Sequence, residues 1–374
     1  MKVLVAGDFC PQHRVAELFV QGDFSLVLGE VKTLIEKADY SIVNYECPVC
    51  HSDEAPIQKF GPNLKSHKSG IEAIKLAGFN CVTLANNHFR DYGYKGCLNT
   101  LEELDQAGID YVGGGRNLID ASKTLYKEIN GKVLAIINCC ENEFSIASPN
   151  TAGSNPLRPI QQYYDIQRAK QKADYIIVIV HGGTEWYNLP TPRMKETYRF
   201  FIDAGADAVI NHHQHCYSGY ELFHDKPIFY GLGNFCFDKG KLLHSFWHKG
   251  YLVTLDMKKE GLDFELTPYV QCAETPSIQI IDDRKRFDED IKRLNKIIDD
   301  DNTLHQSFHE MAMKRERIIK TLLSPYSSRI LKGLQSRGFL PSFVNRNKMI
   351  SFLAYSQCEA HHDILIEYLK NELK

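Results

Sequence analysis

Short apolar runs recur through most of the chain: KVLVAG from Lys2, YSIVNYE from Tyr40, NCVTLAN from Asn80, KVLAIINCC from Lys132, DYIIVIVHGG from Asp174, DAVINHHQH from Asp207 and KPIFYGLGNF from Lys226. Runs this short and this poor in charge predict buried strands. Between several of them the apolar positions fall three and four apart and stop at a glycine, as in GIEAIKLAGF, CLNTLEELDQAG and KETYRFFIDAGA. That spacing predicts helices with a glycine past the last turn. Strand and helix alternate, so the expected fold class is α/β with a largely buried sheet. The alternating segment Gly250–Val270, with a Lys-Glu-Gly turn, reads as a hairpin that closes the domain. From Glu274 onward the pattern turns helical (DEDIKRLNKIIDD, HQSFHEMAMKRERIIKTLL, HHDILIEYLKNEL) and no polar motif ends a strand. The expected division is therefore 1–272 for an α/β domain and 273–374 for a helical C-terminal region.

The polar residues that end the apolar runs change the picture. Asp8 follows VLVAG, Asn44 and Glu46 follow or close YSIV, and Asn86, Asn87 and His88 follow CVTLA. His181 follows YIIVIV, and His213 and His215 follow DAVI. In α/β sheets, ligand sites gather at the carboxyl ends of strands. A single Asp or His in such a place caps a turn or satisfies a core bond; strand after strand ending in a metal-ligating type points to a metal centre. Asp, Glu, Asn and His without thiolate suit Mn, Fe or Zn, and they are too many for one tetrahedral zinc. The economical expectation is two divalent ions sharing one bridging carboxylate, a pair that can clamp both ends of a displacement at phosphorus. Asn86 reads better as a loop residue bonding the backbone, His212 as a ligand or a spacer, and His13, His51 and His67 as solvated.

Composition sets limits. The chain has 374 residues, 43% hydrophobic and 24% charged, which is ordinary for a soluble globular protein. A net charge of -3 argues against a nucleic-acid partner. The opening MKVLVAGDFC reads as a strand and not as a signal peptide, and no run reaches the roughly 20 apolar residues of a membrane span. The expected location is cytoplasmic, where 11 cysteines stay reduced. The CPVC at Cys47 and Cys50 has no second CxxC and reads as free thiols, and the pair Cys139 and Cys140 reads as structural.

Taken together, GDF at Gly7, NYE at Asn44, NNHFRDYG at Asn86, HGGTEW at His181, GADAVINHHQH at Gly205 and YGLGNFCFD at Tyr230 resemble, in order and spacing, the CapA or poly-γ-glutamate biosynthesis (PGA_cap) family, a branch of the calcineurin-like metallophosphoesterases. The resemblance covers residues 2 to 272. It implies a metallophosphoesterase-like double β-sheet sandwich flanked by helices, with a two-metal site at the strand ends. It also implies roles: Asp8 on the first metal, Glu46 bridging, Asn87 on the second, and His181, His213 and His215 completing both sets. His88 would protonate the leaving oxygen with Asp91 orienting it. Asn44, Glu185 and Asn234 would stand behind the ligands or face the substrate. Two departures stand out: Cys10 occupies the place of the phosphoesterases' Asp-x-His histidine, and the usual GxHPH reads NHHQH.

The expectation for function is a metal-dependent hydrolase of a phosphoester or related ester, serving capsule, exopolysaccharide or cell-envelope polymer synthesis, with an anionic envelope precursor or polymer as substrate. The alternative is a non-catalytic accessory subunit that binds an anionic polymer or its synthase. A ligase-type role lacks a Walker A sequence, since GGGRN at Gly113 has no Lys-Ser/Thr end. In the tail, Lys314, Arg315, Arg317, Lys320, Arg329, Lys332, Arg337, Arg346 and Lys348 face a single acid, Glu316. This stretch, 314–348, is either a solvated helical face or a basic surface for peripheral membrane contact, with Phe339, Leu340 and Phe343 beside Pro341 for shallow insertion.

Overall fold

The computed structural model describes residues 1–51, 54–240, 246–259, 261–316, 319, 323–357, 361–362, 364–365 and 369. Glu260 of the hairpin turn and Arg317 and Lys320 of the basic tail lie outside the described residues.

Four strands, Lys2–Phe9, Tyr40–Tyr45, Cys81–Thr83 and Asp110–Val112, lie parallel and in that order. On the other side of Lys2–Phe9 the sheet continues with Lys249–Lys258, Gly261–Gln271 and Ile278–Ile280, each antiparallel to its neighbour. A second sheet runs Tyr220–Phe223, Lys226–Phe229, Ala208–His212, Tyr175–His181, Lys132–Cys140 and Leu125–Ile129, its middle strands parallel.

The two sheets face each other because alternate residues of each strand are apolar on both sides. In the first strand, Val3 and Val5 join the core shared with Ile136, Ile177 and Ile210 of the second sheet. Leu4 and Ala6 point the other way, into a core filled by Val15 and Phe19, Val31 and Ile35, Ile71 and Ile74, and Leu101 and Leu104 of four helices. Helices Pro159–Ala169 and Pro192–Ala204 cover the outer side of the second sheet. The result is the expected α/β sandwich of two sheets flanked by helices. The glycines that end the periodic segments do the expected work: Gly78, Gly108 and Gly205 are left-handed, with φ of 95°, 69° and 118°, and each caps its helix.

One apolar run divides. KPIFYGLGNF supplies Lys226–Phe229 to the second sheet and Asn234–Cys236 to the first. The chain crosses between sheets over Tyr230–Gly233, with Gly233 at φ 78°. Periodicity cannot register such a switch, because both halves are equally buried.

The chain packs as two compact units, Met1–His305 and Gln306–Lys374. The first unit reaches past the change of sequence pattern near residue 273. Helix Lys285–Asp299 belongs to it, because Phe287, Ile291, Leu294 and Ile298 recur at helical spacing and are buried in the core that surrounds the second sheet, the helix packing on strand Tyr220–Phe223. In the second unit the described elements are helical, including Arg329–Ser336 and Arg346–Gln357. Among the described residues no helix is long and apolar enough to cross a membrane.

The close approach of the first strand to the crossover gives a test. A Cβ on Gly7 would stand 1.9 Å from the Gly233 carbonyl oxygen, a backbone atom with no room to yield. Gly7→Ala is expected to lower unfolding stability by about 1–3 kcal/mol or more. Gly29, exposed within helix Phe24–Glu36, has nothing within 4 Å of its added Cβ. Gly29→Ala should raise stability by up to about 1 kcal/mol. Urea denaturation of both variants checks the opposite signs.

Candidate metal centre

The carboxyl ends of both sheets' parallel strands meet at one place. Asp8 is the penultimate residue of the first strand and is in register with Asn44 on one side and Asn234 on the other. Glu46 follows the second strand, its backbone N–H bonded to the Phe9 carbonyl at 2.9 Å. Asn87 and His88 lie just beyond the third strand. From the second sheet come His181, the last residue of its strand, and His213 and His215, just past Ala208–His212. All of these are buried. Glu185, four residues after His181, is half-buried beside them.

The donor atoms converge in two groups that share one residue. Glu46, His181 and His213 form the first, and Asp8, Glu46 and His215 the second; within each, one atom per residue lies within 4.8 Å of the others. His181 Nε2 stands 3.5 Å from Glu46 Oε1, 3.1 Å from His213 Nδ1 and 3.0 Å from Asn87 Oδ1. The side chains behind are fixed. Asn44 Nδ2 donates to Asp8 Oδ1 at 2.7 Å, and His215 Nδ1 meets Asn234 Oδ1 at 2.8 Å. Asn234 Nδ2 in turn donates to the Trp247 carbonyl at 3.1 Å.

The loop that carries the histidines is strained and firmly tied. His213 and His215 have φ of 92° and 55°, a region that non-glycine residues avoid and that tends to mark functional positions. Asn211, in the place of the usual glycine, donates from Nδ2 to the carbonyls of Gly182 and Tyr230 at 2.9 and 3.1 Å and accepts from Tyr198 Oη at 2.7 Å. Gln214, in the place of the usual proline, donates from Nε2 to the Tyr187 and Leu189 carbonyls, both at 2.9 Å. Amide hydrogen bonds thus hold here what a proline ring would hold.

Electrostatics single out the same residues. Neither carboxylate oxygen of Glu46 has a hydrogen-bond partner, although the side chain is wholly buried. Burial first, then the charges of Asp8 and Glu185, push the Glu46 carboxyl well above the usual range. Burial raises Asp8 to about 7, against its hydrogen bonds from Asn44 and His213. Burial and neighbouring imidazoles hold His181 and His215 well below the ordinary histidine value, and burial also lowers His213. Left alone, the cluster therefore sheds its charge. Buried polar groups are normally paired, and an unpaired carboxylate is among the costliest to bury. Divalent cations would satisfy both Glu46 oxygens and reverse the shift of each carboxyl. The oxygen and nitrogen donors present fit Mn, Fe or Zn.

Beside the cluster, His88 Nδ1 and Asp91 Oδ2 are 2.6 Å apart. Lys59, unmarked in its polar loop sequence, ion-pairs with Asp91 Oδ1 through a side chain only 3% exposed, and its Nζ is 3.1 Å from His88 Nδ1. Leu64 N donates to Asp91 Oδ2 at 2.7 Å, so this carboxylate anchors the loop before it as well as the imidazole. Asn86 ties the turn, donating to the Tyr45 carbonyl at 2.9 Å and accepting from His88 N at 3.1 Å. His212 is buried 3.4 Å from Asp8 Oδ1 with neither ring nitrogen hydrogen-bonded, and burial lowers it to about 3. Cys10 is buried, bonds its N–H to the Cys236 carbonyl at 2.9 Å, and its thiol is held protonated by burial. Asn138 was invisible within an apolar run; its Oδ1 accepts from Ala85 N at 2.8 Å and its Nδ2 donates to Ile179 O at 3.0 Å, stitching the loop before Asn87 to the second sheet. His13, His51 and His67 are exposed, and Cys47, Cys50, Cys139 and Cys140 are buried free thiols.

Residues 2–239 match the family described as bacterial capsule synthesis protein PGA_cap. The capsule biosynthesis protein CapA of Bacillus anthracis is 33% identical over 64% of this chain and 60% of its own length. The PGA biosynthesis protein CapA of Bacillus subtilis (strain 168) is 32% identical over 72% of each chain. Among solved structures, a putative 5'-nucleotidase from Staphylococcus aureus aligns with 80% of this chain and 58% of its own at 16% identity and a TM-score of 0.44. The match across the strands that carry Asp8, Glu46, Asn87, His181, His213 and His215 establishes that the chain belongs to the PGA_cap family of bacterial capsule synthesis proteins.

Proposed function

We propose that this protein is a metal-dependent hydrolase of a phosphoester or related ester, acting on an anionic precursor or polymer in capsule or cell-envelope synthesis. The observation behind this is Glu46, buried, without hydrogen bonds, and shared by two groups of donor residues. Asp8, Glu46 and His215 would hold one ion, and Glu46, His181, His213 and Asn87 the other. Two divalent ions there would act as Lewis acids, neutralising charge that develops on the reacting oxygens. The capsule setting follows the names of the Bacillus relatives.

The protein's own residues supply the rest. Asp91 accepts from Nδ1 of His88 and thereby orients the ring, and in its imidazolium form the ring carries on Nε2 the proton to be delivered. Lys59 holds Asp91 from its other oxygen, and the Asn87 carbonyl accepts from Ser145 Oγ at 2.7 Å, which steadies the turn between ligand and acid. Burial of the whole arrangement excludes bulk water and strengthens each of these interactions. The alternative, an accessory subunit that binds the polymer or its synthase, has no need of a proton donor positioned in this way.

We also propose that the C-terminal unit makes peripheral contact with anionic lipid. Arg329, Arg337, Arg346 and Lys348 are exposed there, together with Phe339 and Phe343.

His88→Ala should keep its bound metal and lose about 10²–10⁴ in turnover of a phosphomonoester, phosphodiester or carboxylester, whichever the wild type cleaves best. Metal analysis alongside the kinetics checks both halves; loss of metal would make His88 a ligand. Absence of turnover by the wild type on all three ester classes with Mn²⁺, Fe²⁺ and Zn²⁺ would favour the accessory subunit.

The membrane contact is checked by flotation with liposomes. The full chain should float with anionic vesicles, less so as salt rises, and a variant with Arg329, Lys332, Arg337, Arg346 and Lys348 all changed to Gln should not. Each basic residue near such a surface contributes roughly 1 kcal/mol. Equal flotation of the two proteins would leave the tail as a structural appendage.

A further inference from the structure

The chain has two tryptophans, and both stand at the metal cluster. Trp247 is buried, its ring centroid 4.7 Å from that of the His215 imidazole, with Nε1 donating to the Phe237 carbonyl at 2.7 Å. Trp186 is 42% exposed and stacks on Trp247 with centroids 4.9 Å apart and planes 26° apart. Both are built into the site's own scaffold. The Trp186 N–H donates to the carbonyl of Gln214, which lies between His213 and His215, at 2.9 Å. The Trp247 carbonyl accepts from Asn234, the residue that holds His215.

Lys239 sits on this pair. Its Nζ is 3.5 Å from the centroid of Trp247 and 4.8 Å from that of Trp186. Among the described residues its ammonium is held by these indole rings and by no ion pair. Burial lowers its pKa, and the charges of Glu185 and Glu46 oppose that shift, so the ammonium lies within electrostatic reach of the cluster. An ammonium resting on aromatic faces keeps its N–H donors for another partner. At the rim of a cluster of carboxylates and imidazoles, that partner is an anion brought in with the substrate.

We propose that Lys239, seated on Trp247, is a substrate-binding residue that takes an anionic oxygen group, phosphate or carboxylate, next to the metal cluster, with Trp186 covering the adjoining part of the molecule. It rests on the functional reading above for the identity of the reaction, and not for the binding itself. A lysine is a point charge without the planar fork of arginine, so it accepts either anion. The exposed indole of Trp186 adds an apolar surface on which a sugar ring or an alkyl chain can lie.

Because the chain has no tryptophan elsewhere, its tryptophan fluorescence, excited selectively, reports on this subsite alone. The experiment titrates the full-length, metal-loaded protein with inorganic phosphate in one arm and a γ-linked glutamate trimer in the other, and repeats both after chelation of metal. The wild type should give a saturable change with one probe at least, and the responding probe assigns the anion. Lys239→Met should raise the Kd about tenfold, the usual effect of losing a hydrogen bond to a charged group. Lys239→Arg should restore most of the affinity, and Trp186→Phe should retain a signal from Trp247. A wild type silent to both probes would overturn the proposal. So would a folded Lys239→Met protein whose Kd stays within about twofold of the wild type, the scale of ordinary mutational scatter. Binding that depends on Lys239 in a protein that cleaves no ester would keep this subsite and remove the hydrolase; cleavage with a Kd indifferent to Lys239 would do the reverse.

Discussion

Glu46 is wholly buried where two sheets meet, and neither of its carboxylate oxygens has a hydrogen-bond partner. A folded protein rarely leaves such a group unsatisfied, because burial removes its hydration without replacement. What surrounds Glu46 is not a set of donors but further groups of the same need: Asp8, His181, His213 and His215. The cluster makes physical sense as a container for cations. The rest of the architecture follows from placing it. Parallel strands from two sheets bring their carboxyl ends to one line, the chain crosses between sheets beside it, and Gly7 lets the first strand approach that crossing.

The rigidity of the container comes from amides. Asn44, Asn138, Asn211, Gln214 and Asn234 are each buried and each bonds to backbone or to a cluster residue. Neutral amides serve here because they supply both a donor and an acceptor without adding charge to a place already crowded with it. They also hold His213 and His215 at backbone angles those residues would not choose. Strain of this kind persists where the surroundings over-determine it. A second layer is cationic: Lys59 is paired behind Asp91 on one side, and Lys239 rests on indole on the other.

The polar residues at the strand ends were legible in the sequence because each ends or closely follows an apolar run, and the choice among them came from the resemblance of the motifs to the PGA_cap family. Asp8, Glu46, Asn87, His181, His213 and His215 could therefore be named and are found together. Lys59 and Lys239 could not, since each lies in loop sequence and acquires its meaning through contacts with residues 32 and 8 positions away, Asp91 and Trp247. Asn138 was hidden for the opposite reason: within KVLAIINCC it looks like an interruption of a strand, and only the approach of the Ala85 loop gives its side chain a task. The split of KPIFYGLGNF between two sheets was also beyond reach, because burial is the same in both. His212, a ligand or a spacer by sequence, lies against Asp8 with two unbonded ring nitrogens.

The most direct measurement is elemental analysis of purified protein, wild type against Glu46→Gln. The change keeps the size of the side chain and removes the charge that both donor groups share. The wild type should carry about two divalent ions per chain, and Glu46→Gln should lose most of both while staying folded, since a neutral amide relieves the burden of a buried carboxylate. Wild-type protein that binds no divalent ion when incubated with Mn²⁺, Fe²⁺ or Zn²⁺, or a Glu46→Gln variant that binds as much as the wild type, would contradict the account.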